Sequence, residues 1–196
     1  AMEPYDGVAD LWWDSEEDLA DPGGKPEGQA ASAELLEDEK KFIDFSRSTM
    51  YFTTEVPQVN PTPENLVARV KSPIVKLCFF VNHLDTFTLE QAQFYWRNNH
   101  GPLIRSNAPI MAIKRYIQVH MIDSPFNEAT QGPRGKMEKP FMGHAELWYD
   151  RAEAASTYAL AEAQQAAEAA KQDEAKFIDF KRCALWYAKE HVFVDK

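Results

Sequence analysis

Apolar positions along the chain fall into short alternating or continuous runs, separated by stretches whose composition favours helix. Val8–Trp13 and His144–Tyr149 alternate and are rich in aromatics, which predicts two strands. Ala/Glu/Lys-rich stretches follow each of them, ending near Phe45 and Phe180, and predict helix. In the first, Asp21-Pro22-Gly23-Gly24-Lys25-Pro26 is a breaker; the second runs from Arg151 to Asp179 without one. Further strands are predicted at Arg47–Thr53, Ile74–Val81, Lys114–Met121 and Arg182–Tyr187. Thr88-Leu89-Glu90-Gln91 has the form of a capping box, opening a helix that His100-Gly101-Pro102 should stop. Residues 122–140, with three prolines and two glycines, read as a long loop.

These elements repeat. Gly7–Asp14 (GVADLWWD) and Gly143–Asp150 (GHAELWYD) share five of eight residues, and Asp38–Arg47 (DEKKFIDFSR) and Asp173–Arg182 (DEAKFIDFKR) share eight of ten. The offsets of 136 and 135 residues differ by a single gap, so one duplicated unit accounts for both pairs. From Ile74 onward the order is strand, helix, strand, strand, helix, strand: a complete split βαβ unit of ferredoxin-like type, with expected strand order 4-1-3-2. Residues 1–56 supply only the second half of such a unit, 57–73 a proline-rich linker, and 74–196 the complete domain.

The residues KLCFFVNH (Lys76–His83), FYWRNNHGPL (Phe94–Leu103), RYIQVH (Arg115–His120), GHAELWYD and the distant FIDF resemble the EthD family of the dimeric α+β barrel superfamily. The resemblance implies an α+β fold. Two antiparallel sheets would close into a barrel, with helices outside and a ligand cavity between the sheets. It implies no single reaction, because relatives on this fold include polyketide cyclases, quinone-forming monooxygenases, isomerases and haem enzymes. The first repeat lacks its opening strand and helix. The uncovered strand edges and sheet face predict a homodimer, or a chain longer at its N-terminus.

Composition narrows the chemistry. Residues 1–40 carry a net charge of −11 and the remainder +1, so no basic surface suits nucleic acid. The longest apolar run, Leu77–Val81, is far too short to span a membrane, and a cytoplasmic location is expected. Cys78 and Cys183 fall on neighbouring predicted strands and read as small buried groups. Walker, Gly-x-Gly-x-x-Gly and Gly-x-Ser-x-Gly motifs are absent.

Strand alternation puts His144, Glu146 and Trp148 on one face and Tyr116, Gln118 and His120 on one face of the adjacent strand. If those faces coincide, His144, His120, Glu146 and Tyr116 converge as an acid–base group, with histidine moving a proton and the carboxylate orienting it. Trp148, Trp12, Asp10, Gln118, Trp96 and His100 would line the substrate site. Asp44 and Asp179 are expected to bind local backbone or an arginine. His120, His144 and Glu146 also have the composition of a two-histidine, one-carboxylate iron site, although neither metal nor cofactor is expected. The expected function is a cofactor-independent lyase, cyclase or isomerase acting on a small hydrophobic, aromatic or polyketide-like substrate. A non-catalytic ligand-binding barrel and a metal- or haem-dependent oxygenase are the alternatives. The 123–140 loop is a candidate lid.

Overall fold

The computed structural model describes residues 2–60 and 66–194. Pro61 and Pro63 of the expected linker lie outside the described residues. In chain order the elements are helices α1 (Glu16–Ala20) and α2 (Pro26–Glu39), strands β1 (Thr53–Val59) and β2 (Ile74–Val81), then helices α3 (Leu89–Tyr95) and α4 (Gly101–Asn107). Strand β3 (Arg115–Met121), helix α5 (Pro125–Gln131), strand β4 (Gly143–Asp150), helices α6 (Arg151–Thr157) and α7 (Ala161–Glu174) and strand β5 (Ala184–Ala188) follow. They form two compact units. The larger comprises the described parts of 1–4, 53–122 and 141–196; the smaller comprises 5–52 and 123–140.

The larger unit is α+β, built on one antiparallel five-stranded sheet of order β1-β3-β4-β2-β5. Strands β5-β2-β4-β3 reproduce the expected 4-1-3-2 arrangement, and β1 adds itself beside β3. Pro57 sits within β1 rather than in a linker. An edge strand tolerates it because one row of its backbone groups has no ladder partner, and the register slips at Pro57/Val59. The predicted strand at Arg47–Thr53 is displaced accordingly: Phe45–Arg47 is a 3-10 turn and extended pairing starts at Thr53.

One face of this sheet is covered by helix. Tyr116, Ala145, Tyr149 and Val81 pack with Trp96, Ile104, Ala166, Ala170, Phe177 and Ile178 in the main core. The capping box at Thr88 forms as the sequence predicts, with Gln91 reciprocating. His100-Gly101-Pro102 does not stop the helix, however. Trp96–His100 forms a π-helical turn, and α4 continues with Pro102 in its first turn. A wider turn absorbs the disruption that proline introduces into the hydrogen-bond ladder. Gly101 packs close to Gln58 there: a Cβ would lie 2.6 Å from the Gln58 side-chain oxygen, which would have to shift. The predicted single helix after Arg151 is likewise two, α6 and α7, parted at Leu160, whose backbone is extended (φ −85°, ψ 136°).

The smaller unit holds α1, α2 and α5. Residues 125–131, read from sequence as loop, are helical, with Ser124 capping Phe126 N–H and Pro125 in the first turn. That serine–proline pair is a helix start, because proline fits the first turn, where its missing N–H costs no hydrogen bond. Arg134 makes paired bonds of 2.8 and 2.9 Å to Glu39, and Phe52 stacks edge-on against Phe126. The predicted strand Val8–Trp13 is not a strand; these residues carry no ladder. Gly143 in the second copy is forced, because a Cβ would lie 2.2 Å from the Val119 carbonyl oxygen, whereas nothing lies within 4 Å of its counterpart Gly7.

The second duplicated segment behaves differently. Asp44 and Asp179 both accept a bond of 3.0 Å from the backbone N–H two residues on, each opening a 3-10 turn. Yet Phe177 is completely buried while its counterpart Phe42 is 73% exposed. Phe177→Ala is therefore expected to cost about 3–5 kcal/mol of stability. Phe42→Ala should stay within about 0.5 kcal/mol of the parent protein. Urea unfolding of the two variants checks this, and equal losses would contradict the burial difference.

Candidate active site

Strand β4 lies between β2 and β3, and its pairing with each decides what its polar side chains meet. Glu146 stands opposite Cys78 on one side and Ile117 on the other; His144 stands opposite Phe80 and Val119; Trp148 stands opposite Lys76 and Arg115. Directly opposed residues in an antiparallel pair share a face. His144, Glu146 and Trp148 thus lie with Lys76, Cys78, Phe80, Arg115, Ile117 and Val119, on the side away from the helices.

At the centre of that face Lys76 Nζ forms an ion pair with Glu146 Oε1, both side chains being less than a tenth exposed. His144 Nε2 lies 3.4 Å from the same carboxylate oxygen. The imidazole stacks on Phe80 at 4.4 Å between ring centres, and Phe80 stacks in turn on Trp186. Burial alone would raise the Glu146 carboxyl. His144 and Lys76 outweigh burial and hold it well below the usual carboxylate range. Glu146 is thus a fixed negative charge beside a histidine.

Trp148 closes one end. Lys76 Nζ and the Arg115 guanidinium lie 5.1 and 4.7 Å from its ring centre. Its Nε1–H donates to Glu190 Oε2 at 2.9 Å, and the same oxygen accepts from the Ala68 backbone N–H. Glu190 Oε1 is also 3.7 Å from Lys76 Nζ. Ala68, Ile117, Val119 and Trp148 form a second, smaller core with Leu66 and Ile74.

The expected convergence of β3 and β4 polar residues does not occur. Tyr116 stands opposite Leu147 and Gln118 opposite Ala145, so Tyr116, Gln118 and His120 face the helices. There Trp96 Nε1–H and Gln118 Nε2–H both donate to Tyr116 Oη at 3.0 Å, and Gln118 also donates to the Trp96 carbonyl. His120 stacks on Trp96 and lies 3.1 Å from Gln118 Oε1. A carboxamide oxygen only accepts, so His120 Nε2 carries the proton. Burial, with Arg97 nearby, pushes the His120 pKa down to about 4, leaving a neutral ring at pH 7. Burial raises the Tyr116 hydroxyl well above its ordinary value.

Trp96 is fully buried in this network rather than lining a substrate site. His100 is also on the helix side, where Nδ1 is 3.0 Å from Asp173 Oδ2. Asp10 and Trp12 belong to the smaller unit, and Trp12 is 69% exposed. The two-histidine, one-carboxylate triad fails for the same reason: His120 is across the sheet from His144 and Glu146. What sequence reasoning missed is Lys76, the one charged residue within the apolar run Ile74–Val81, and Glu190, which lies beyond the duplicated segments.

The central residues of this face are buried within one chain, His144 at 5% and Glu146 at 4% exposure. Removing Lys76 strands a buried carboxylate, and Lys76→Met should cost about 3–5 kcal/mol, with much of the loss recovered when Glu146→Gln is added. Glu146, held below its ordinary value of 4.5, stabilises the fold above that pH. The contribution fades as pH falls toward about 2. Urea unfolding at pH 7 and pH 3 should show this acid loss in the parent protein and much less of it in the double variant.

No curated protein matches the chain. Among solved structures it is similar to an ethyl tert-butyl ether D (EthD) family protein from Bacillus halodurans. The two are 21% identical, the likeness covers 60% of this chain and 99% of that one, and the TM-score is 0.41. No helix among the described residues is long and apolar enough to cross a membrane. The EthD domain matches residues 1–46 and 84–181, well over half of the sequence, and the chain belongs to the EthD domain family.

Proposed function

We propose that this protein is a small-molecule enzyme that moves a proton on a hydrophobic aromatic or polyketide-like substrate, with a lyase, cyclase or isomerase outcome and no cofactor. One observation carries the reading: both ring nitrogens of His144 are buried without a hydrogen-bond partner among the described residues. A buried imidazole is ordinarily bonded at one nitrogen at least; with Nε2 turned toward Glu146 at 3.4 Å, Nδ1 is the position left for a substrate hydroxyl, carbonyl or acidic C–H.

The neutral ring accepts a proton from the substrate and becomes imidazolium. Glu146, ionised and 3.4 Å away, stabilises that cation, and Lys76 keeps the carboxylate from taking the proton itself. Returning the proton to another substrate atom completes an isomerisation or cyclisation and restores the neutral ring. Phe80, Trp186 and Trp148 give the surroundings an aromatic character that suits a planar ligand. Because His144 is screened from water, substrate entry requires local opening, which would gate turnover. His120 and Tyr116 take no part in this scheme.

The test is turnover of a panel of aromatic β-keto acids and β-polyketones, followed by chromatography. His144→Ala is expected to lower kcat/KM by about 10²–10⁴. His120→Gln, which keeps a donor toward Gln118, should leave it within a few-fold. Full activity in His144→Ala would end the acid–base reading and leave a ligand-binding role in its place.

A further inference from the structure

A groove of about 640 Å³ lies on the helix side of the sheet, away from His144. Val75 and Tyr149 form its floor; they are paired across β2 and β4 on the face opposite Glu146. Ala154 and Ala155 of α6 make one wall, and Tyr187 of β5 the other. Tyr158 stands at the mouth, 47% exposed, with Tyr187 at 65%. The volume falls in the range that takes a drug-sized molecule, and the small alanines are what leave it open.

Arg151 and Lys189 both line this groove, and neither makes an ion pair among the described residues. Lys189 Nζ is held in place by the Ser72 carbonyl at 2.9 Å and by that of Ile74, contacts that position the ammonium without neutralising it. Burial first, then the neighbouring tyrosines, raises Tyr149 and Tyr158, which stay neutral as donors. Glu174 is the acid whose field reaches both; burial and Asp173 lift it to about 7, so its opposition to an anion is partial at neutral pH.

We infer that this groove is a second ligand site, which takes a planar aromatic carboxylate with its ring between the tyrosines and its acid group toward Arg151 and Lys189. Aromatic rings on three sides favour a flat apolar body, and two uncompensated cations at one end favour a single negative group. The site is separate from the His144 cluster, because its floor residues project from the opposite face of the same strands.

The probe is 2-naphthoate, followed by its fluorescence anisotropy, with neutral 2-naphthamide as comparator. Saturable one-to-one binding of naphthoate is expected. Arg151→Ala should weaken it about tenfold, the loss of one charge-assisted bond, with naphthamide affinity little changed. Ala155 is exposed, so Ala155→Trp fills the groove without disturbing a core and should abolish binding of both. His144→Ala should leave both affinities as they were. Three results would overturn the inference. They are absence of saturable binding, naphthoate affinity that survives Ala155→Trp, and loss of binding in His144→Ala alone, which would assign the probe to the other face. If instead Tyr187→Ala shifts the sedimentation coefficient and naphthoate does not bind, the groove is a contact between copies.

Discussion

Everything about the candidate site depends on the register of β4 against its two neighbours. Side chains alternate along a strand, so pairing Ile117 with Glu146 sends Tyr116, Gln118 and His120 to the helices and leaves His144 and Glu146 on the other side. A slip of one residue would reverse this and also drive Ile117 and Val119 under the helices. The observed register is fixed by what the helix side demands. The Trp96 indole and carbonyl lie against the sheet, and Tyr116 and Gln118 supply their partners at 3.0 Å. The π turn at Trp96–His100 is what presents that tryptophan to them. A local irregularity in one helix therefore decides which histidine stands beside a charge.

The two faces satisfy their polar groups by different means. On the helix side the chain from Arg105 through Gln58 and Gln118 to His120 is built from hydrogen bonds, and apart from the part-buried arginine its members are neutral. Neutral partners avoid the desolvation of a full charge. On the other side the solution is ionic, with Lys76 and Glu146 compensating each other in a setting where neither would be tolerated alone. An ionised carboxylate beside His144 can stabilise a charge that appears during a reaction, whereas His120 has only the neutral Gln118 beside it. That asymmetry, rather than the number of histidines, separates His144 from His120.

Two residues that shape the candidate site lie outside the segments matched to the EthD domain. Lys76, which sets the charge state of Glu146, precedes the second matched segment; Glu190, which fixes the Trp148 ring, follows it. The acid–base arrangement proposed for His144 thus draws on residues inside and outside the matched segments.

The sequence by itself determined the α+β class, the four-strand order, the capping box at Thr88 and the two Asp-capped turns. These follow from alternation, spacing and side chains that bond their own neighbours. The duplicated FIDF segments make the same turn because its bonds span two to four residues and need nothing distant. What surrounds those turns was not legible. Phe177 finds Tyr95 and the sheet, while Phe42 has no equivalent and stays exposed. Likewise GHAELWYD becomes a central strand and GVADLWWD does not, since a strand requires neighbours to complete its ladder. The pairing of Lys76 with Glu146, 70 residues apart, belongs to the same category. Periodicity states which residues share a face of one strand, but only the register between strands, set by packing from residues far along the chain, decides which faces coincide.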